Sequence, residues 1–240
     1  MVKVVKIGGS LLYDENGVLD ETKLGKLFRS FSKQLGKNVI YVLGSGKMLH
    51  EVAEECKLNE EHDFGKRIRG FELINKFTGH RLSVIERSTG IKPIPAMSLF
   101  VKNTLGNKKK HEILLFNDCI TNLPAIILSG CVLDRKVLFS TISSDTVAAF
   151  IADKRGASEF IMATNTNGVL GESGSTMRKV RLREYDKLKF IKGGMKDKIR
   201  RARYAIEKDI STYIVNGESI INNLKVEMLL SKGECTRVVR

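Results

Sequence analysis

Val4-Val5-Lys6-Ile7-Gly8-Gly9-Ser10-Leu11-Leu12 is the stretch that decides how this chain is read. An apolar, β-branched run carrying a single lysine breaks at two glycines and a serine. Such a run reads as a buried strand and the break as a tight turn. Glycine lets backbone N–H groups come close to an anion, and clustered N–H groups bind phosphate. A lysine at the strand end places a full positive charge where a phosphoryl group in transfer needs one. Alone, the stretch better fits a plain strand with a glycine turn and a solvated lysine. The reading therefore rests on what surrounds it.

Working outward, strand-like and helical runs alternate. Asp20 is placed to cap a helix whose Leu24, Leu27, Phe28, Phe31 and Leu35 share one face, and Gly36 ends it. Val39-Ile40-Tyr41-Val42-Leu43 is a second buried strand running into Gly44-Ser45-Gly46. Helices are expected over 47–56 and 64–87, extended chain at 93–97 and 113–116, a strand at 124–128 and a hairpin turning at Asp134-Arg135. Farther on come a helix over 145–155 and a strand at 160–163 leading to the turn Asn165-Thr166-Asn167-Gly168. A helix over 195–208, a strand at 212–215, a helix over 220–230 and a strand at 236–239 complete the order. This alternation predicts an α/β fold, a three-layer αβα sandwich around a central, mostly parallel sheet, with ligands at the carboxyl ends of the strands. The polar glycine turns Gly8-Gly9, Gly44-Ser45-Gly46 and Asn167-Gly168 all fall at such ends.

Composition narrows the function classes. With 240 residues, 42% hydrophobic and 28% charged, no Trp and three prolines, the chain reads as globular rather than fibrous or disulfide-framed. Lys3 and Lys6 interrupt the apolar N-terminal run, which lacks a signal-peptide pattern, and no apolar stretch is long enough to span a bilayer. Cys56, Cys119, Cys131 and Cys235 are scattered without metal-ligand spacing and read as reduced thiols of a cytoplasmic protein. The net charge of +14 has two concentrations, Lys108-Lys109-Lys110 and the segment from Lys196 to Arg203. No aromatic residues interleave with the lysine run to stack bases. A small anionic substrate is thus favoured as partner over nucleic acid.

Two common phosphate signatures fail. Gly44-Ser45-Gly46-Lys47 lacks the earlier glycine of a P-loop and carries Met48 where Ser or Thr is required; Leu49 stands at the third glycine of the dinucleotide fingerprint. The order of motifs instead resembles the amino acid kinase family, whose members phosphorylate carboxylates, carbamate or phosphate groups with ATP. Lys6-x-Gly8-Gly9-Ser10 is similar to its opening motif, and Ser144-Asp145 to the helix start carrying its lysine-organising aspartate. Thr164-Asn165-Thr166-Asn167-Gly168-Val169 is similar to its nucleotide-side turn, and Gly193-Gly194-Met195-x-x-Lys198 to its late element. Within the family, the loop from Gly44 to His50 most resembles that of the isopentenyl phosphate kinases.

The resemblance implies a division of labour. Residues 1–123 would form an acceptor-binding lobe and 124–240 a nucleotide-binding lobe on one continuous sheet. Lys6, Lys198, Asp145 and His50 are the implied catalytic residues: the lysines neutralise the transferring group, Asp145 orients them and His50 bonds an acceptor phosphate. Gly8, Gly9, Ser10, Thr164, Asn165, Gly168, Gly194 and Lys198 would hold ATP; Gly44, Ser45, Gly46 and His50 would hold the acceptor. Mg²⁺ is expected with the nucleotide rather than on protein ligands, and a homodimer is implied. The chain departs from the pattern at Glu15, where a lysine is usual, at Asn165 and Asn167, where aspartates are usual, and at Ser45 in place of a glycine. These changes keep turn-forming residues while removing charge. The acceptor thus stays open between isopentenyl phosphate, a nucleoside monophosphate such as UMP and another small acid, with a nucleotide- or RNA-binding protein without turnover as the non-enzymatic alternative.

Overall fold

The computed structural model describes residues 1–58, 64–105, 110–116, 120–134, 138–222 and 225–240. In chain order its elements begin with β1 (Lys3–Ile7), α1 (Gly9–Leu12), α2 (Glu21–Leu35), β2 (Val39–Leu43), α3 (Lys47–Glu55) and α4 (Phe64–Thr89). There follow β3 (Ile94–Pro95), β4 (Phe100–Leu105), β5 (Lys110–Phe116), β6 (Ala125–Leu128), β7 (Cys131–Asp134) and β8 (Leu138–Thr141). The remainder comprises α5 (Ser144–Lys154), β9 (Glu159–Thr164), β10 (Lys179–Arg181), α6 (Gly193–Ile206), β11 (Ser211–Asn216), α7 (Gly217–Ile221), α8 (Val226–Lys232) and β12 (Cys235–Val239).

Eight strands form one sheet in the order β10-β12-β11-β9-β1-β2-β6-β3. Every neighbouring pair is parallel except β11 with β12. The buried strands β1 and β2 lie near its centre, where burial on both faces favours apolar side chains. Alternate side chains then serve two cores. Val4, Ile40, Val42, Ile127, Phe160 and Met162 pack with residues of α5 and α6, while Val5, Ile7, Tyr41, Leu43, Ile126 and Ile161 pack with residues of α2, α4 and α8. Helices therefore cover both faces, and the three-layer expectation holds. Val4, Val5 and Ile7 are fully buried, each contributing about 1.5–3 kcal/mol of transfer free energy.

A second sheet, β5-β4-β7-β8, includes the expected hairpin. Its turn at Arg135 lies outside the described residues, as do Lys108, Lys109, His62 and Cys119. Cys56, Cys131 and Cys235 are buried. Asp20 caps α2 through its carboxylate, which accepts from the Lys23 amide at 2.8 Å, and Gly36 ends the helix at φ +78°.

Several expectations need correction. Gly8-Gly9-Ser10 is not a simple turn, because Gly9 and Ser10 begin the short helix α1. The helix expected over 220–230 is two helices, α7 and α8. Of 93–97 only Ile94–Pro95 is strand, since a 3₁₀ turn takes over at Ala96. Among the described residues, no helix is long and apolar enough to cross a membrane.

Candidate active site

Two periodicities bring the site together. Lys6 shares the parity of Val4 on β1, so its side chain leaves the sheet on the face that α5 covers. Asp145 meets it from the first turn of α5, a helix begun by Ser143, whose hydroxyl accepts the Asp145 amide at 3.3 Å. Lys198 arrives from α6. Lys6 Nζ lies 3.0 Å from one Asp145 oxygen and Lys198 Nζ 3.7 Å from the other, so a single carboxylate is shared by two ammonium groups.

The burial of this triad sets its electrostatics. Lys6 is only 3% exposed. Burial pushes its pKa below the ordinary lysine value; Asp145 opposes that shift and Lys198 reinforces it. Burial alone would raise the Asp145 carboxyl, but Lys6, Lys198 and Arg201 outweigh it and hold the group below its usual value. The carboxylate is therefore ionised and fixes the spacing of the two cations.

Two glycine loops close over this triad. Gly8, the residue before α1, donates its amide to the Ala163 carbonyl at 3.0 Å, and the Gly44 amide donates to Ile7 at 2.9 Å. Those two donors are committed to the protein. Gly9 and Ser10, the first residues of α1, have no intrahelical acceptor and are the amides of this loop left for an anion. The glycines are also needed by one another. A Cβ on Gly9 would stand 2.8 Å from the backbone of Gly46, and one on Gly44 would stand 2.7 Å from the Gly9 nitrogen. Behind the second loop, buried Arg81 donates to the Ser45 carbonyl at 2.6 Å and lies 4.5 Å from the centre of the Tyr13 ring.

The loops, α3, α5 and α6 enclose a cavity of about 400 Å³. Of the residues singled out by sequence, Lys6, Gly8, Gly9, Ser10, Gly44, Ser45, Gly46, His50, Asp145, Gly194 and Lys198 line it. Thr164, Asn165 and Gly168 are not among its lining residues. They lie at the end of β9 and in the turn beyond, where the Asn216 side-chain Nδ2 donates to Asn167 Oδ1 at 2.6 Å. Gly168 has φ +102°, and a Cβ there would collide with Thr236, so its glycine answers to packing against β12.

Sequence reading missed Lys47, Asp197 and Arg201, which also face the cavity. Helical spacing could have found two of them, because 194, 197, 198 and 201 share one face of α6. With Lys6, Lys47, Lys198 and Arg201 against Asp145 and Asp197, the lining carries a formal surplus of two positive charges. Among the described residues, no group of three or more His, Cys, Asp or Glu could hold a metal ion. A cavity of this kind, walled by backbone amides and an aspartate-bridged lysine pair, suits an enzyme that binds and moves phosphoryl groups.

Comparison with known proteins agrees. The profile of the amino acid kinase family matches residues 1–216, and the chain belongs to that family as one of its kinases. It is 24% identical to acetylglutamate kinase of Brachyspira hyodysenteriae, with 96% of this chain and 88% of that protein covered. It is 23% identical to isopentenyl phosphate kinase of Methanothermobacter thermautotrophicus, with 98% of each covered. An isopentenyl phosphate kinase crystal structure superposes with a TM-score of 0.75 at 18% identity, covering 100% of this chain and 99% of that one. That last likeness concerns the fold.

Proposed function

We propose that this kinase transfers the γ-phosphoryl group of ATP to an anionic oxygen of a small phosphorylated acceptor, isopentenyl phosphate being the first candidate. The observation that carries this reading is Asp145 shared between buried Lys6 and Lys198 on the wall of a cavity flanked by two glycine loops. Phosphoryl transfer asks mainly for positioning and charge neutralisation. Lys6 and Lys198 neutralise the transferring group, and Asp145 keeps them apart and oriented. The amides of Gly9 and Ser10, with Gly194, hold the donor phosphates; the turn at Thr164, Asn165 and Gly168 lies at the neighbouring strand end, where the nucleoside extends. Gly44, Ser45, Gly46 and His50 hold the acceptor, with the imidazole donating to its phosphate. This assigns the acceptor to residues 1–123 and the nucleotide mainly to 124–240. Mg²⁺ would be held by the phosphates of ATP rather than by protein ligands, and would supply partial neutralisation of their charge. The protein acts in the cytoplasm as a homodimer, a state that light scattering on the purified chain tests.

A second reading is favoured by the acetylglutamate kinase relatives, which match at similar identity and coverage: the acceptor is a small carboxylic acid. One assay separates the two. ADP release is measured with isopentenyl phosphate, UMP, N-acetylglutamate and no acceptor. Turnover with isopentenyl phosphate alone supports the first reading, and turnover only with the acid or with UMP replaces it. ATP binding without turnover on any acceptor points to the non-catalytic alternative.

A further inference from the structure

The basic segment from Lys196 to Arg203 contains a residue that the reading above leaves unexplained. Helix α6 carries five basic side chains, and four are ion-paired: Lys196 with Asp186, Lys198 with Asp145, Arg200 with Asp197 and Arg203 with Glu207. Arg201 is the exception. Among the described residues, no carboxylate lies within 4.0 Å of it. Its hydrogen bond among the described residues runs to the hydroxyl of Thr146, the buried neighbour of Asp145 on α5. Among the described residues it is also the only arginine on the cavity wall, one helical turn beyond Lys198.

This combination is physically costly as it stands. A guanidinium has five N–H donors in a rigid fork, and a neutral hydroxyl accepts one of them. Partly withdrawing such a cation from water without a counter-anion is unfavourable unless something else supplies the charge. Burial, with the neighbouring Arg200, lowers its pKa, whereas Asp145 and Asp197 partly support the charge. A pairing carboxylate would have been easy to provide, as the other four basic residues of α6 demonstrate. Its absence at Arg201, whose cavity-facing neighbour Lys198 does have one, leaves the fork available for a ligand oxygen.

We infer that Arg201 is a donor-binding residue, its guanidinium contacting oxygens of the polyphosphate chain of a nucleoside triphosphate. The inference rests on the kinase reading of the cavity and extends it to a residue that none of the sequence motifs contains. The donor is assigned rather than the acceptor because Arg201 shares its helix face with Gly194 and Lys198. Thr146 then acts as a rest that holds the fork in place while the site is empty. Arginine is suited to the task because its paired N–H groups match two phosphate oxygens at once.

The test is calorimetric titration of ATP and of inorganic tripolyphosphate into the wild type and the variants Arg201→Ala, Arg201→Lys and Arg203→Ala, with thermal melts to establish folding. Loss of charge-assisted bonds to phosphate predicts roughly ten- to a hundredfold weaker binding of both ligands by Arg201→Ala. Arg201→Lys should recover only part of this, and Arg203→Ala should match the wild type. In steady-state kinetics the same loss should appear in KM for ATP rather than in KM for the acceptor. A folded Arg201→Ala protein that binds ATP within about threefold of the wild type overturns the inference and leaves the kinase reading intact. A selective rise in acceptor KM also overturns it, because the arginine then serves the other substrate. A wild type that binds neither ATP nor tripolyphosphate overturns both readings together.

Discussion

Replacing Asp145 by Asn removes one charge from between two cations, and the structure gives the size of the effect. The carboxylate lies 3.0 Å from Lys6 and 3.7 Å from Lys198. At an effective dielectric constant of about 20, such separations correspond to attractions of roughly 5.5 and 4.5 kcal/mol. Part of this is offset because the variant no longer buries a carboxylate. A ceiling also applies. Lys6 can relieve the resulting repulsion by releasing its proton, which at pH 7 costs about 5 kcal/mol for a group that ordinarily titrates at 10.5. The expected loss is therefore about 3–5 kcal/mol, the range typical of removing one partner from a buried ion pair. Urea unfolding at pH 7 measures it. Adding Lys6→Met to Asp145→Asn should return at least half of the lost stability, because the stranded cation is gone, while neither variant catalyses transfer. An Asp145→Asn protein within about 1 kcal/mol of the wild type, or a double variant no more stable than the single, would refute the shared-carboxylate account.

Three further outcomes follow from the same geometry. Lys6→Ala should leave a folded protein with turnover reduced more than roughly a hundredfold, as single-turnover kinetics would show. His50→Ala should lower kcat/KM for a phosphorylated acceptor about ten- to a hundredfold, leave ATP affinity nearly unchanged and be partly repaired by His50→Gln. Asp145 is held below the ordinary carboxylate value in the fold, so the native state binds fewer protons than the unfolded chain. Its stabilisation is thus full above the ordinary carboxylate range and lost as pH falls through the depressed value; unfolding followed against pH should show a shallower acid limb for Asp145→Asn.

The sheet was legible because its central strands are nearly pure apolar runs bounded by glycine, and β2 falls on the expected residues 39–43. Helix α2 was legible from its cap and its one-sided apolar stripe. β10 was not, because Lys-Val-Arg at 179–181 is too short and too charged to declare a strand and relies on pairing with β12. The break between α7 and α8 was hidden by continuous apolar spacing from Ile220 to Leu230. In the site, Lys6, Asp145 and Lys198 could be named from motifs. Nothing local could announce that Arg81 reaches the Ser45 carbonyl from 36 residues away, or that Arg201 would be the unpaired cation of its helix. Those facts belong to tertiary contact.

The mutual contact of Gly9, Gly44 and Gly46 limits how the enzyme can diversify. A Cβ on Gly9 would meet the Gly46 backbone, one on Gly44 the Gly9 nitrogen and one on Gly46, at φ +77°, the Tyr13 ring, so a first substitution at any of the three disturbs the packing of the loops. Gly9→Ala should accordingly destabilise the protein by about 1–3 kcal/mol in thermal melts, besides weakening ATP binding. A lineage exploring new acceptors cannot proceed through those glycines without first giving up stability. It must instead vary the side chains that the interlocked loops present, chiefly Lys47 and His50 on the first turn of α3, while the paired loops behave as one inherited part.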